Sequence, residues 1–369
     1  MGRKSSFLEG LVNILFNNIY KNKTVLITGD TGFKGSWLAI WLTELGANVI
    51  GYAFEPKTDK DNYVVCGLQE RMKHINGDIR DFDSLKQVFD EYNPEIVFHL
   101  AAQALVLEGY NDPVETFDTN IMGTVNILES IRHSPSVQAA VMITTDKCYE
   151  NKEWMYGYRE NDRLGGKDPY SASKAAAEIV INSYVESFFK RNETANIASV
   201  RAGNVIGGGD WSTHRIVPDC IRSLQQGEAI SIRNPSAVRP WQHVLEPLSG
   251  YLNLGAALMT KGKIFSEPWN FGPFTNDVHA VKELVEEIVG QWGAGEIVLA
   301  KEPNQHHEAS LLQLDITKAV NRLGWKPQFS FKDAVELTVE EYKIERLTVD
   351  QIYEQRVKQI ETYMQKWSE

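Results

Sequence analysis

Thr24-Val25-Leu26-Ile27-Thr28-Gly29-Asp30-Thr31-Gly32-Phe33-Lys34-Gly35 decides how this 369-residue chain folds. Its first five residues are a short apolar run closed by a glycine, which reads as a buried strand. Ser36 to Leu45, rich in Trp, Leu and Ile, reads as a helix. Strand, glycine-rich turn and helix in that order make a phosphate-binding context. The glycines permit a tight turn and let backbone N–H groups approach a pyrophosphate, and the helix N-terminus adds its positive end. The spacing is Gly-x-x-Gly-x-x-Gly rather than the more familiar Gly-x-Gly-x-x-Gly. A purely structural turn is the competing use of the same glycines.

Working outward, the alternation continues. Strands are expected at Asn48 to Ala53, Met72 to Asn76, Glu95 to Leu100, Ala139 to Thr144 and Ala195 to Arg201. Helices are expected at Phe82 to Tyr92, Pro113 to His133 and Tyr170 to Lys190. Strands alternating with helices predict a Rossmann-like, doubly wound parallel sheet. Asp78 and Ile79 follow the third strand, where a carboxylate can accept from an adenine amino group or simply cap a turn. Ala101-Ala102-Gln103 follow the fourth, and their small side chains let the backbone pass close to a ligand. Glu55 follows the second strand, a little beyond the usual distance for a ribose-binding acid, with no arginine there for a 2′-phosphate. That favours NAD over NADP.

After about residue 205 the pattern changes. Ile206-Gly207-Gly208-Gly209-Asp210-Trp211 reads as a flexible loop, and aromatics, arginines and histidines accumulate in loops beyond it. The expected division is an N-terminal extension over 1–22, an NAD-binding domain over 23–202, a smaller α/β substrate-binding lobe mainly over 203–330, and a helical segment over 331–369. In the extension, Phe7, Leu8, Leu11, Val12, Leu15 and Ile19 recur at helical spacing, Glu9 interrupts any signal-peptide core, and the Met1-Gly2 start fits a myristoylation pattern only by its brevity.

Composition narrows the function. A formal charge of −11 argues against a nucleic-acid binder, so a phosphorylated ligand needs local cationic pockets. Cys66, Cys148 and Cys220 are far apart, which points to neither a disulfide framework nor a zinc site and fits a reducing cytoplasm. No apolar run approaches the length of a membrane span. No metal is expected; His306-His307 lack a third ligand at useful spacing.

The chemistry is suggested by Asp168-Pro169-Tyr170-Ser171-Ala172-Ser173-Lys174. Tyr170 and Lys174 are four residues apart, on one face of a helix. A nearby ammonium lowers a phenol's pKa, and a lowered phenol can take the proton of a sugar hydroxyl as its carbon loses hydride. The pair alone arises often by chance; behind a dinucleotide fold it is informative.

Gly29-x-x-Gly32-x-x-Gly35 with Tyr170-x-x-x-Lys174 resembles the extended short-chain dehydrogenase/reductase superfamily. Longer stretches are similar to its nucleotide-sugar branch, the CDP-glucose 4,6-dehydratases above all: Thr144 to Asn151, Gly157 to Asn161, Arg201 to Trp211, Ile232 to Pro235, Arg239 to Leu248 and Asn270 to Pro273. The resemblance covers about residues 23 to 330. It implies NAD as cofactor, held by Gly29, Thr31, Gly32, Phe33, Lys34, Gly35, Asp78, Ile79, Ala101, Ala102, Gln103, Tyr170 and Lys174. It implies a nucleotide-sugar substrate held by Asn204, Arg215, Arg233, Arg239 and His306, and a homodimer or tetramer built on the two long helices. Two departures stand out. Asp30 occupies a place where the family commonly has His, and an inward-pointing acid there would repel phosphate. Gln103-Ala104-Leu105-Val106-Leu107 replaces Gln-Pro-Leu-Val-Arg, removing an arginine.

The implied reaction gives Thr145, Asp146, Lys147, Tyr170 and Lys174 catalytic roles. Tyr170 takes the 4-hydroxyl proton, Thr145 bonds the 4-oxygen, and Asp146 protonates the departing 6-hydroxyl. Lys147 stands where related dehydratases have a glutamate base; a lysine base must be neutral, by burial or beside another cation such as Lys174. Lys147 pairing only with phosphate or Asp146 is the equal alternative. A 4-epimerase on the same fold and a non-catalytic NAD-binding regulator are the other readings. The Asp-Lys pair argues against the first, and retention of Tyr170 and Lys174 argues against the second.

Overall fold

Strand β1 (Thr24–Thr28) lies between two parallel neighbours, β2 (Asn48–Ala53) and β4 (Ile96–His99). The computed structural model describes residues 16–192, 194–300, 310–343 and 347–368. β3 (Lys73–Asn76) extends the sheet beyond β2, and β5 (Ala139–Ile143) and β6 (Asn196–Ala202) extend it beyond β4. All pairings are parallel, and the order 3-2-1-4-5-6 is that of a doubly wound dinucleotide fold. The strand order reverses between β1 and β4, and a crevice opens there at the carboxyl ends of the strands.

Helix α1 (Phe33–Glu44), α2 (Phe82–Tyr92), α3 (Gly123–Arg132) and α4 (Pro169–Tyr184) cover the sheet. Both faces are buried: Val25, Ile27 and Phe98 pack into one core with α1, while Leu26, Val97 and Met142 pack into the other with Leu128 and Ile181. This explains continuous apolar strands rather than alternating ones. The helix expected over 113–133 is three pieces: Pro113–Phe117, a wide π turn at Asp118–Met122, then α3. The helix expected over 170–190 likewise ends in a π turn at Val185–Phe189. Hydrophobic spacing does not reveal a single inserted residue.

Beyond residue 203 the chain divides between two cores. α5 (Ile216–Gln226), β7 (Ile230–Ile232), α7 (Val281–Trp292) and β9 (Ile297–Leu299) form a lobe with its own core, into which α8 (Phe331–Tyr342) also packs. Between them, α6 (Leu245–Lys261) and β8 (Trp269–Phe271) return to the first domain, where β8 pairs with β6 as a seventh strand. α9 (Val349–Ser368) packs there too, with Tyr363 and Met364 buried. Of the N-terminal extension, residues 1–15 lie outside the described residues; Phe16 and Tyr20 are buried, and Phe16 meets Trp41 and Trp367 edge to face. The loop read as flexible, Ile206 to Trp211, is buried from Ile206 to Asp210, and Trp211 is half-buried. Its glycines answer crowding: a Cβ on Gly208 would lie 2.4 Å from the Glu341 Cβ, and one on Gly209, at φ +81°, 2.5 Å from the Asn62 Cβ.

Candidate active site

The turn after β1 is shaped by what surrounds it. Gly29 has φ +79°, and a Cβ there would stand 2.8 Å from the Ala101 backbone nitrogen. A Cβ on Gly35 would stand 2.0 Å from the Gly29 carbonyl oxygen. The turn is therefore closed from beneath, while Gly32, the residue that opens α1, is exposed. The first turn of this 12-residue helix has no side-chain cap among the described residues. Its backbone N–H groups thus face outward at the positive end of the helix, which fits a diphosphate. Thr31 donates its hydroxyl to the Phe54 carbonyl at 2.8 Å, tying the turn to the end of β2.

Asp30 does not enter that cradle. It is fully buried and its Oδ2 meets His74 Nδ1 on β3 at 2.8 Å, directly over Gly51. The expected repulsion of phosphate therefore does not arise. Burial raises the Asp30 carboxyl despite the opposing His74 contact. Asp78 closes the turn after β3: Arg80 holds its carboxylate through Nε at 2.8 Å and Nη2 at 2.6 Å. Ile79 is buried against Gly123, and Glu55 is exposed. Gln103 spends its side chain internally, donating to Thr116 Oγ1 at 2.8 Å and accepting from the Leu105 N–H.

Beside this turn lies a cavity of about 1010 Å³, large for a small-molecule site. Thr145, Asp146 and Lys147 reach its wall from the end of β5, and Asn204 and Gly207 from beyond β6. Tyr170 reaches it from the first turn of α4, where Asp168 caps the helix by accepting the Ser171 N–H at 2.9 Å and Pro169 takes the first position. Arg215, Arg233 and Arg239 line the far side. His306 falls outside the described residues, as do His307 and Glu308. Leu107 is on the wall, an apolar group where the family's arginine would stand.

The reactive groups sit close. The Thr145 hydroxyl donates to Asp146 Oδ1 at 3.0 Å and is near enough to Tyr170 to lower its phenol. Asp146 is fully buried, and its Oδ2 has no partner among the described residues. A buried polar atom without a partner is costly, and this one fills the space over Gly203 that a Cβ would need. Asn204, held at φ 44°, also has a buried Oδ1 with no partner among the described residues.

The tyrosine–lysine pair is less direct than its spacing predicts. Burial pushes the Tyr170 phenol up to about 12, opposed first by the Thr145 bond and then by the Arg215 charge. Lys174 donates to the Ile143 carbonyl at 3.3 Å, and burial brings it down to about 8. Lys34, expected at the cofactor, also lines this cavity. Lys34 extends its ammonium into the cavity, 3.5 Å from the Tyr251 hydroxyl. Burial, then the charges of Lys174 and Arg215, bring it down to about 7, with Asp146 opposing.

Sequence reasoning also missed Asn120. It sits in the π turn and donates to Ser173 Oγ at 2.8 Å and to the Gln103 carbonyl at 3.0 Å, while accepting the Gln103 N–H. It thus links the segment after β4 to the helix of Tyr170. A π turn beside a functional site is a recurrent device, but a lone Asn in a helical stretch gives no signal of it. Among the described residues no three His, Cys, Asp or Glu side chains gather as a metal site.

A reversed parallel sheet, an uncapped helix at a glycine turn, and a tyrosine beside Thr-Asp-Lys define a dinucleotide-dependent enzyme of the short-chain dehydrogenase/reductase type, in its nucleotide-sugar dehydratase and epimerase branch. The chain belongs to the GDP-mannose 4,6 dehydratase family, which matches residues 26–338. A CDP-glucose 4,6-dehydratase of Salmonella typhimurium is 47% identical over 330 residues, covering 88% of this chain and 92% of the relative. A human dTDP-D-glucose 4,6-dehydratase is 26% identical over 345 residues, covering 87% and 90%. The solved dTDP-glucose 4,6-dehydratase of Bacillus anthracis in complex with NAD shares the fold at TM-score 0.73 and 22% identity, covering 87% of this chain and 96% of that one.

Proposed function

We propose that this protein dehydrates CDP-D-glucose to CDP-4-keto-6-deoxy-D-glucose. The carrying observation is that Thr145, Asp146, Lys147 and Tyr170 line one cavity together with four arginines, Arg163, Arg215, Arg233 and Arg239. Bound NAD would take hydride from C4 and return it at C6, so none is consumed. Tyr170 receives the 4-hydroxyl proton, and Thr145 holds the 4-oxygen as charge develops. The ketone acidifies the C5 proton, because the carbanion left behind is an enolate. Asp146 gives its proton to the 6-hydroxyl, turning a poor leaving group into water. Lys147, half-buried beside Asp146, is the C5 base of this scheme. Arg215, Arg233 and Arg239 supply the local positive charge that a diphosphate needs on an acidic protein, since a guanidinium grips phosphate oxygens in pairs. The identity to the Salmonella enzyme supports the CDP-sugar as substrate.

We place the enzyme in a reducing cytoplasm, in keeping with three free, buried cysteines; among the described residues no helix is long and apolar enough to cross a membrane. We also read it as a homodimer. Val114, Phe117 and Met122 before α3 and Ile179 on α4 are exposed apolar groups, which support pairing of these helices across a two-fold axis.

The test is incubation of purified protein with CDP-glucose and NAD, followed by product mass. Loss of one water is the expected result; an isomer of unchanged mass would identify a 4-epimerase instead. Asp146→Asn separates the steps. It should keep oxidation, visible as reduced-nicotinamide absorbance, and lose about two to four decades of dehydration rate.

A further inference from the structure

Trp211 and the glycines before it make up the segment that carries the lobe's side of the cavity, with Ile206, Gly207, Asp210 and Arg215 on the wall. Its fixity comes from far along the chain. The Tyr342 hydroxyl, on α8, donates to the Asp210 carbonyl at 2.6 Å and accepts the Asp210 N–H at 3.1 Å, with the Gly207 carbonyl at 3.2 Å. Its ring meets Trp211 edge to face at 5.2 Å. Held so, Asp210 turns its carboxylate to two partners. Oδ1 accepts the Ser212 N–H at 3.1 Å, and Oδ2 accepts from Arg215 Nη1 at 3.0 Å.

A second contact comes from α9. Arg356 is buried, pairs with Glu341, and donates Nε to Asn62 Oδ1 at 2.9 Å. Glu341 and Asn62 are the two groups that crowd Gly208 and Gly209. Trp37 on α1 donates to the Gly208 carbonyl at 2.9 Å from the other side. The segment is therefore gripped between α1, α8 and α9, and Asp210 transmits the grip to Arg215.

We propose that Tyr342 and Arg356 are positioning residues: they fix the Gly207–Asp210 turn and, through the Asp210 carboxylate, hold Arg215 where it meets the diphosphate of the nucleotide sugar. This rests on the substrate reading above, so the test has one arm that does not. Tyr342→Phe removes one hydroxyl and keeps the ring in the core. Hydrogen exchange over 207–215 should quicken in this variant, while exchange in β5 and α4 stays as in wild type. Unchanged exchange over 207–215 overturns the proposal, whatever the substrate proves to be.

The second arm uses CDP as the probe, with dissociation constants measured by calorimetry. If wild type takes no CDP, the substrate reading fails and the exchange arm alone decides the clamp. If it does, Tyr342→Phe should weaken CDP several-fold, up to about tenfold for one lost hydrogen bond, and raise KM with kcat unchanged. Combined with Arg215→Ala it should add nothing to the loss from Arg215→Ala alone, since both act through one guanidinium. Additive losses overturn the proposal. Tyr353→Phe, which removes the 2.8 Å bond from α9 to Glu44, controls for general loosening. It should lower the melting temperature and leave the CDP constant alone; an equal loss of CDP affinity there also overturns the assignment.

Discussion

At the scale of single residues, spacing foretold which groups meet but not how each is turned. Tyr170 and Thr145 are brought together as their motifs imply. The Lys174 ammonium meets the Ile143 carbonyl at the end of β5, a partner that the spacing to Tyr170 does not announce. Lys34 shows the converse: a residue assigned to the cofactor turn from the glycine pattern puts its charge into the substrate cavity. Side-chain direction depends on neighbours distant in sequence, such as Tyr251, and no local motif encodes them. The role proposed for Tyr170 is kinetic. Tyr170→Phe should cut kcat by about two to four decades and leave CDP affinity within twofold, because the phenol acts on the transition state rather than on binding. Near-normal turnover would remove Tyr170 from the reaction.

Among elements, the parallel sheet was legible because most of its strands are short apolar runs alternating with helices; Lys73–Asn76, with one apolar residue, is the exception. The π turns were not, and neither was the packing of the triple glycine. Three adjacent glycines look alike in sequence whether they serve motion or crowding; Glu341 and Asn62 decide the matter. Another element contact escaped notice, the joint between α4 and β6. Glu178 is buried there and receives Thr144 Oγ1, Ser199 Oγ at 2.8 Å and Arg201 Nη2 at 2.8 Å. Burial alone would raise its carboxyl, yet Arg201 and the hydroxyls hold it below the ordinary value. An acid depressed in the folded state stabilises the fold above its unfolded pKa, and that contribution is lost as pH falls through the folded one. Wild type should thus lose stability on acidification below the ordinary glutamate range. Glu178→Gln should be weaker at pH 7 by about 3–5 kcal/mol, since Arg201 stays buried unpaired, and less sensitive to that acidification. Denaturant titrations at several pH values measure both; parallel pH profiles would show that Glu178 carries no linked proton.

Considering the whole molecule, the pattern of the sequence changes near residue 205, but it does not announce the return of α6 and β8 to the first core. β8 is three residues long and gains its place only by pairing with β6. Ile121 and Val125 are half-buried and Leu128 lies in the protomer's own core, so Val114, Phe117, Met122 and Ile179 are the groups left outward. Ile179→Glu should convert a dimeric mass by light scattering to a monomeric one at micromolar concentration, with the melting curve still cooperative; a monomeric wild type would end the proposal. The grip of Arg356 on Asn62 has a different consequence, one for the order of folding. These residues are 294 positions apart in the chain, and contacts that distant are slow to form because the intervening loop must close first. The turn of β1 and α1 is local by comparison. During refolding from denaturant the dinucleotide cradle should therefore mature before the lobe's side of the cavity, and recovery of NAD binding should run ahead of recovery of CDP binding. The protein would then pass through an interval in which it is loaded for oxidation and still unable to hold anything to oxidise.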